Sequence, residues 1–145
     1  MRRSTGPRWQ YRIMTNPPLT DAVREFLRRP APCVVGTLGQ HGQPVTAATW
    51  FRLQDDDTIL LNIQAGRARI RHVSADPRIA LTVLGETWYQ HVSIQGRVTD
   101  MHTDADLSVI DAISEHYTGT PYAVRDKERV SMLVQIDRYF GWNMS

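Results

Sequence analysis

The 145-residue chain has little sulfur and almost no lysine, with one cysteine, Cys33, and one lysine, Lys127. A lone cysteine closes no intrachain disulfide and builds no thiolate zinc site, so a cytoplasmic setting is the expectation. No apolar run approaches the roughly 18 residues that a membrane span needs. The opening MRRSTGPRWQYRIM has no hydrophobic segment behind its paired arginines, so neither a membrane anchor nor a secretory or twin-arginine leader is expected. Histidines at positions 41, 72, 91, 102 and 116 lack the i, i+4 pair or the cysteine partners of a transition-metal site, so no metal is expected. A Gly-x-Ser-x-Gly elbow, a Walker loop and a Gly-x-Gly-x-x-Gly turn are also missing, which tells against hydrolase triads and the common nucleotide folds.

The formal charge of +2 is unevenly spread. Arg2, Arg3, Arg8 and Arg12 come before any acid, and without them 13 basic groups face 15 acidic ones. Residues 1–16 are therefore expected to form a mobile extension, and 17–145 a single domain large enough for its own core. A body of that charge makes no electrostatic case for nucleic acid, and the strands carry little lysine or arginine apart from Arg52 and Arg97.

Apolar periodicity supplies the elements. Leu19, Ala22, Val23, Phe26 and Leu27 have helical spacing, with Thr20 as cap and Pro30 as stop. Cys33 to Leu38 is a strand, Gly39-Gln40-His41-Gly42 a hairpin turn, and Pro44 to Leu53 the returning strand. Thr58 to Ile63 is a third, buried strand, so the first three strands are expected to form a meander. A glycine turn and a short helix follow, with Ala68, Ile70 and Val73 facing inward. Strands are expected at Ile79 to Leu84, Tyr89 to Asp100 and Val130 to Ile136, the last followed by an aromatic tail, Tyr139 to Trp142. Between the last two, Thr103 to Asp106 should cap a helix lined by Leu107, Ile110, Ile113 and Tyr117. About six strands without a βαβ rhythm predict a mainly β antiparallel barrel with peripheral helices.

Three features could carry chemistry. Gly66-Arg67-Ala68-Arg69-Ile70-Arg71 puts guanidinium groups beside the free N–H groups of a helix start, a pattern suited to an anion. If the helix begins at Arg67, then Arg67 and Arg69 diverge by about 200°; if Arg67 lies on the turn, both can converge. Thr46-Ala47-Ala48-Thr49-Trp50-Phe51 keeps its side chains small until the end, leaving room for a flat ring against the sheet, or fitting a tight barrel interior. Trp88-Tyr89-Gln90-His91 and Tyr139 to Trp142 gather aromatic groups at strand ends, where packing, a pocket or a subunit interface could use them.

The order of Gly39-Gln40-His41-Gly42-Gln43-Pro44, then Ala65-Gly66-Arg67-Ala68-Arg69, then Asp76-Pro77-Arg78 resembles the pyridoxamine 5′-phosphate oxidase-like split β-barrel superfamily. Within it, the chain looks most similar to the F420-dependent oxidoreductases of the FDOR-B branch, with the match running from about Leu19 to the end. The resemblance implies an α+β, six- to seven-stranded antiparallel split barrel of the FMN-binding type. It further implies a homodimer with cofactor sites at the interface, built from both chains. Arg67 and Arg69 would hold the cofactor phosphate, Arg69 standing where many relatives carry lysine. Thr46, Ala48, Thr49, Trp50, Asn62 and Gln64 would line the ring and its ribityl chain, and Trp88 and Tyr89 would approach from the opposite subunit.

The implied activity is hydride transfer between reduced deazaflavin F420 and a small electron-poor organic substrate. The alternatives are an FMN-dependent oxidase or reductase of the same fold, or a non-catalytic protein that binds a flavin or tetrapyrrole. Because the cofactor carries such chemistry, no side chain is assigned as catalytic. His91 and Tyr122 are the groups able to protonate a reduced product, and neither is assigned that role. Arg71, Arg78 and the N-terminal arm are the cations available to the oligoglutamate carboxylates that distinguish F420 from FMN.

Overall fold

A computed structural model describes residues 18–144, so the expected extension over residues 1–16 lies outside the described residues. The first element is α1 (Asp21–Leu27), whose Thr20 hydroxyl accepts the Val23 N–H at 3.2 Å and whose inner face buries Val23, Phe26 and Leu27. Alternating buried positions then run through β1 (Cys33–Leu38), which pairs with β2 (Pro44–Thr49) across the Gly39 to Gln43 turn. In that turn the Gly39 N–H donates to the Gln43 carbonyl at 2.8 Å, and Gly42 takes a φ of 74°.

The expected meander is not what forms. The returning strand breaks at Trp50 and Phe51, and the chain crosses to the far edge of the sheet, where β3 (Arg52–Leu53) pairs with β4 (Ile59–Gln64). Phe51 is fully buried in the core, and its N–H is held by the Tyr117 hydroxyl at 3.2 Å, so the crossing is anchored at its midpoint. The remaining elements are α2 (Ala68–Ala75), β5 (Arg78–Leu84), β6 (His91–Thr103), α3 (Ser108–Thr118) and β7 (Arg129–Trp142). All pairings are antiparallel, and the order β2-β1-β5-β6-β7-β4-β3 gives one seven-stranded sheet with three α-helices. This is a split barrel, with β2 and β3 at its two edges.

Two further expectations are corrected. Tyr139 to Trp142 is strand rather than tail, because β7 stays paired with β6 as far as His91 opposite Trp142. The α3 cap is displaced. Leu107, at a φ of 61°, precedes the helix without a side-chain cap, while Asp104 reaches forward to accept the Val109 and Ile110 N–H groups at 3.1 and 2.9 Å.

The two long strands carry irregularities at Gln95/Gly96 and Val98/Asp100, where the sheet can bend over its own core of Val35, Leu61, Leu81, Val92, Ile94, Met132 and Val134. Gly96 is required at that bend by close approach, since a Cβ there would stand 2.2 Å from the Gln135 carbonyl oxygen. Gly96→Ala should therefore destabilise the fold by about 2 kcal/mol or more in urea unfolding. An unchanged midpoint would mean that the strand relaxes freely at that point.

Candidate functional site

A cavity of about 980 Å³ opens between the end of β2, the end of β4, the start of α2 and the inner face of α3. One wall comes from the alternation of β2. Val45, Ala47 and Thr49 form the row facing the cavity, and Ala48 joins them at the strand end. At the crossing, Trp50 stacks on Tyr117, with centroids 5.1 Å apart and planes 13° apart, and meets Tyr122 edge-on at 6.2 Å. Tyr117 has a structural role: its hydroxyl donates to the Ala31 carbonyl at 2.8 Å, and burial pushes its pKa up to about 12. Cys33 also lines the cavity, and burial likewise pushes its thiol up to about 12, leaving it protonated and unreactive at neutral pH.

The arginine geometry left open by spacing resolves in favour of convergence. Gly66 takes a φ of 88°, and Arg67 at φ −69° and ψ 145° is extended, so the helix begins only at Ala68. Arg67 on the turn and Arg69 in the first helical turn both line the cavity. Desolvation and the charge of Arg67 hold the Arg69 pKa below the ordinary guanidinium value. Among the described residues no carboxylate lies within 4.0 Å of either guanidinium. His72, one turn further along α2, is oriented by the Thr37 hydroxyl at 2.8 Å from its Nδ1.

Further back along β4 lies a buried polar network around Asn62, whose arginine, Arg129, sequence reasoning missed. Arg129, only 8% exposed, donates through Nε to the Asn62 side-chain oxygen at 2.7 Å and through Nη2 to the Asn62 carbonyl at 3.3 Å. Its guanidinium carbon sits 4.7 Å from the Tyr122 ring centroid. The Asn62 amide nitrogen donates in turn to Asp104 at 3.0 Å and to Ser131 at 3.2 Å. The carboxylate that caps α3 thus positions, through one amide, an arginine on the cavity wall. The readable signal was polar residues at inward positions of apolar strands, Asn62 and Ser131, which lie directly opposite each other on β4 and β7.

Of the residues expected from sequence, Ala48, Thr49, Trp50, Asn62, Gln64, Arg67 and Arg69 come together on this cavity. Thr46, Trp88 and Tyr89 are not among its lining residues. Thr46 belongs to the outward row of β2, opposite Gly36, and Trp88 and Tyr89 stack on each other at 4.3 Å in the exposed β5–β6 turn. His91 also lies elsewhere, stacked on Trp142, whereas Tyr122 faces the cavity. No group of three or more potential metal ligands occurs among the described residues, and none of their helices is long and apolar enough to cross a membrane.

Fold and cavity together define a split β-barrel with a cation-lined, partly aromatic pocket at the barrel wall. The sequence matches the family described as pyridoxamine 5′-phosphate oxidase over residues 19–143, and the chain belongs to that family. Among solved structures it is similar to one named F420 Reductase, at 22% identity and a TM-score of 0.75, over 84% of this chain and 98% of that one. A conserved hypothetical protein from Mycobacterium tuberculosis is similar at 24% identity and a TM-score of 0.67, over 88% and 86% of the two chains. General Stress Protein 26 from Bacillus anthracis superposes with a TM-score of 0.65 at 10% identity, over 86% and 94%. A comparison with curated proteins finds no significant match. At these identities the structural likenesses show the fold.

The network carries its own test. Asn62→Leu should cost about 3–5 kcal/mol in urea unfolding, because it strands Arg129 and Asp104 together. Ser131→Ala, which removes one hydrogen bond, should cost about 1 kcal/mol. Equal losses in the two variants would show that Asn62 does not couple the two charged groups.

Proposed function

We propose that this chain is an F420-dependent oxidoreductase that transfers hydride between reduced deazaflavin and a small electron-poor organic substrate. The observation that carries the reading is the pair Arg67 and Arg69, free of any carboxylate among the described residues, converging at the start of α2 on a cavity walled by alanine and threonine. That donor set fits a ring, a polyol chain and a phosphate: two guanidinium groups and the positive end of α2 for the phosphate, small side chains of β2 for the ring. When bound, such a cofactor supplies the hydride chemistry. The protein's own part is alignment and exclusion of water. Trp50 and Tyr117 close one side, Ile110 and Ile113 present an apolar surface from α3, and Gln64 offers its amide to the polar edge of a ligand.

Beyond the phosphate the two candidate cofactors part. Arg71 stands exposed on the first turns of α2, with Nη1 on the Gly66 carbonyl at 3.2 Å, and is available to the carboxylates of F420. Arg78 is instead engaged by Asp76 at 2.7 Å, an observation that favours FMN, the second reading. The similarity to a structure named F420 Reductase supports the first.

A homodimer completes this reading. β2 is an edge strand exposed along most of both faces, and an unpaired edge of this kind favours a partner. Trp88 and Tyr89, 67% and 63% exposed, would reach from one protomer toward the cavity of the other.

Fluorescence titration with F420 and with FMN at matched ionic strength is the decisive experiment. Tight F420 binding with weak FMN binding is expected; the reverse selects the FMN reading, and binding of neither overturns both. Arg67→Ala/Arg69→Ala should weaken cofactor affinity at least about tenfold, with a stability change below about 1 kcal/mol. Light scattering should give twice the 16.6 kDa chain mass, and a monomer at micromolar concentration would remove the shared-site arrangement.

A further inference from the structure

The phosphate end of the cavity does not account for Arg129. Three cations line the cavity, Arg67, Arg69 and Arg129, and no aspartate or glutamate does. Arg129 is the most buried of them, and among the described residues no carboxylate lies within 4.0 Å of its guanidinium. Asp104 does not bond it directly: its oxygens take the Val109 N–H, the Ile110 N–H and the Asn62 amide, and Asn62 stands between the two charged groups. Nor is Arg129 saturated. Its bonds to Asn62 and a long 3.5 Å contact from Nη1 to the Tyr122 hydroxyl leave part of the five-donor fork uncommitted.

Position separates this group from the phosphate end. Arg129 sits opposite Gln64 in register, and its head is turned back to Asn62, roughly 7 Å further from the α2 start along β4. There it adjoins Tyr122, which meets Trp50 edge-on. A buried guanidinium held rigid by an amide, with aromatic rings beside it, suits a planar organic anion that it can engage through two N–H groups.

We propose that Arg129, positioned by Asn62 and Asp104, is the specificity determinant for a second ligand in the cavity, a planar conjugated carboxylate. The assignment rests on the cofactor reading in one respect, that this second ligand is then the electron-poor substrate. The selective element is the uncommitted part of the guanidinium fork: a carboxylate accepts two charge-assisted bonds from it, whereas a neutral amide offers one weaker acceptor.

The test is calorimetric titration of the full chain with 2-naphthoate and with its uncharged amide, 2-naphthamide. Wild type should prefer the carboxylate by at least about tenfold. Arg129→Met should abolish that preference, and Arg67→Ala/Arg69→Ala, altered only at the other end, should retain it. No preference in wild type, its survival in Arg129→Met, or its loss in the Arg67/Arg69 variant would each overturn the assignment. The first and last arms, in wild type and in the double variant, leave the buried site unchanged, so they decide the matter even if Arg129→Met unfolds. Retained naphthoate preference with no binding of F420 or FMN would overturn the cofactor reading and leave the anion site standing. Cofactor binding without the preference would do the opposite.

Discussion

One buried amide, that of Asn62, holds the site together. It stands between a carboxylate and a guanidinium that do not touch, accepting from Arg129 and donating to Asp104 and Ser131. Its two ends are chemically different, so neither partner tolerates a flipped amide: the NH₂ group would face the arginine and the oxygen the carboxylate. The consequences run both ways along the chain. Toward α3, Asp104 fixes the N-terminus of the helix whose Ile110, Ile113 and Tyr117 line the cavity. Toward β7, Arg129 is locked at the point where that strand first pairs with β4. Three elements, β4, β7 and α3, thus meet at one side chain whose own backbone belongs to the middle of a buried strand.

The cavity exists because the chain leaves β2 and re-enters the sheet at its other edge. Had the first three strands formed a meander, β2 and β4 would be neighbours and their side chains would fill the space between them. The crossing at Trp50 and Phe51 separates them instead. Phe51 is drawn into the core while Trp50 is left against Tyr117, so the same two residues that anchor the crossing also supply the aromatic wall. Small residues on β2 then have no packing partner across the gap. Their size makes sense as room for a ligand more readily than as a tight interior, since β2 is exposed along most of its length.

Much of this was legible in the order of residues, and what was not has a physical reason. Strand identity followed from alternation at Cys33 to Leu38 and Ile79 to Leu84, where one face is buried and the pattern is enforced. The α2 start was legible as two alternatives, because glycine marks a turn without saying which following residue first takes helical angles. The crossing was not legible: Pro44 to Leu53 is a continuous run of residues compatible with a strand, and a run of that kind does not say that its halves pair with different neighbours. Arg129 was hidden because a strand read from apolar periodicity starts at Val130, one residue after the one that matters. The α3 cap was half legible, since Asp104 does the capping but from a turn outside the helix.

Charge placement then separates structural cations from the others. Arg24 has Asp57, Arg78 has Asp76, Arg97 has Asp137 and Arg125 has Asp111, and each of these pairs is accounted for within the fold. Among the described residues nine basic side chains have no carboxylate within 4.0 Å, and three of them, Arg67, Arg69 and Arg129, line the same cavity, while Arg28, Arg29, Arg52, Arg71, Lys127 and Arg138 do not. Exposed arginines without partners would call for no explanation, because water solvates them at small cost. Arg129 is buried, and Arg69 is desolvated enough to weaken its hold on the proton. Desolvation thus falls on two of the three cavity arginines, Arg69 and Arg129, while Arg67 stays exposed, and an anion entering the cavity would stabilise the desolvated pair. These two groups of cations along one cavity are the arrangement on which the proposal of a phosphate-bearing cofactor and an acidic substrate rests.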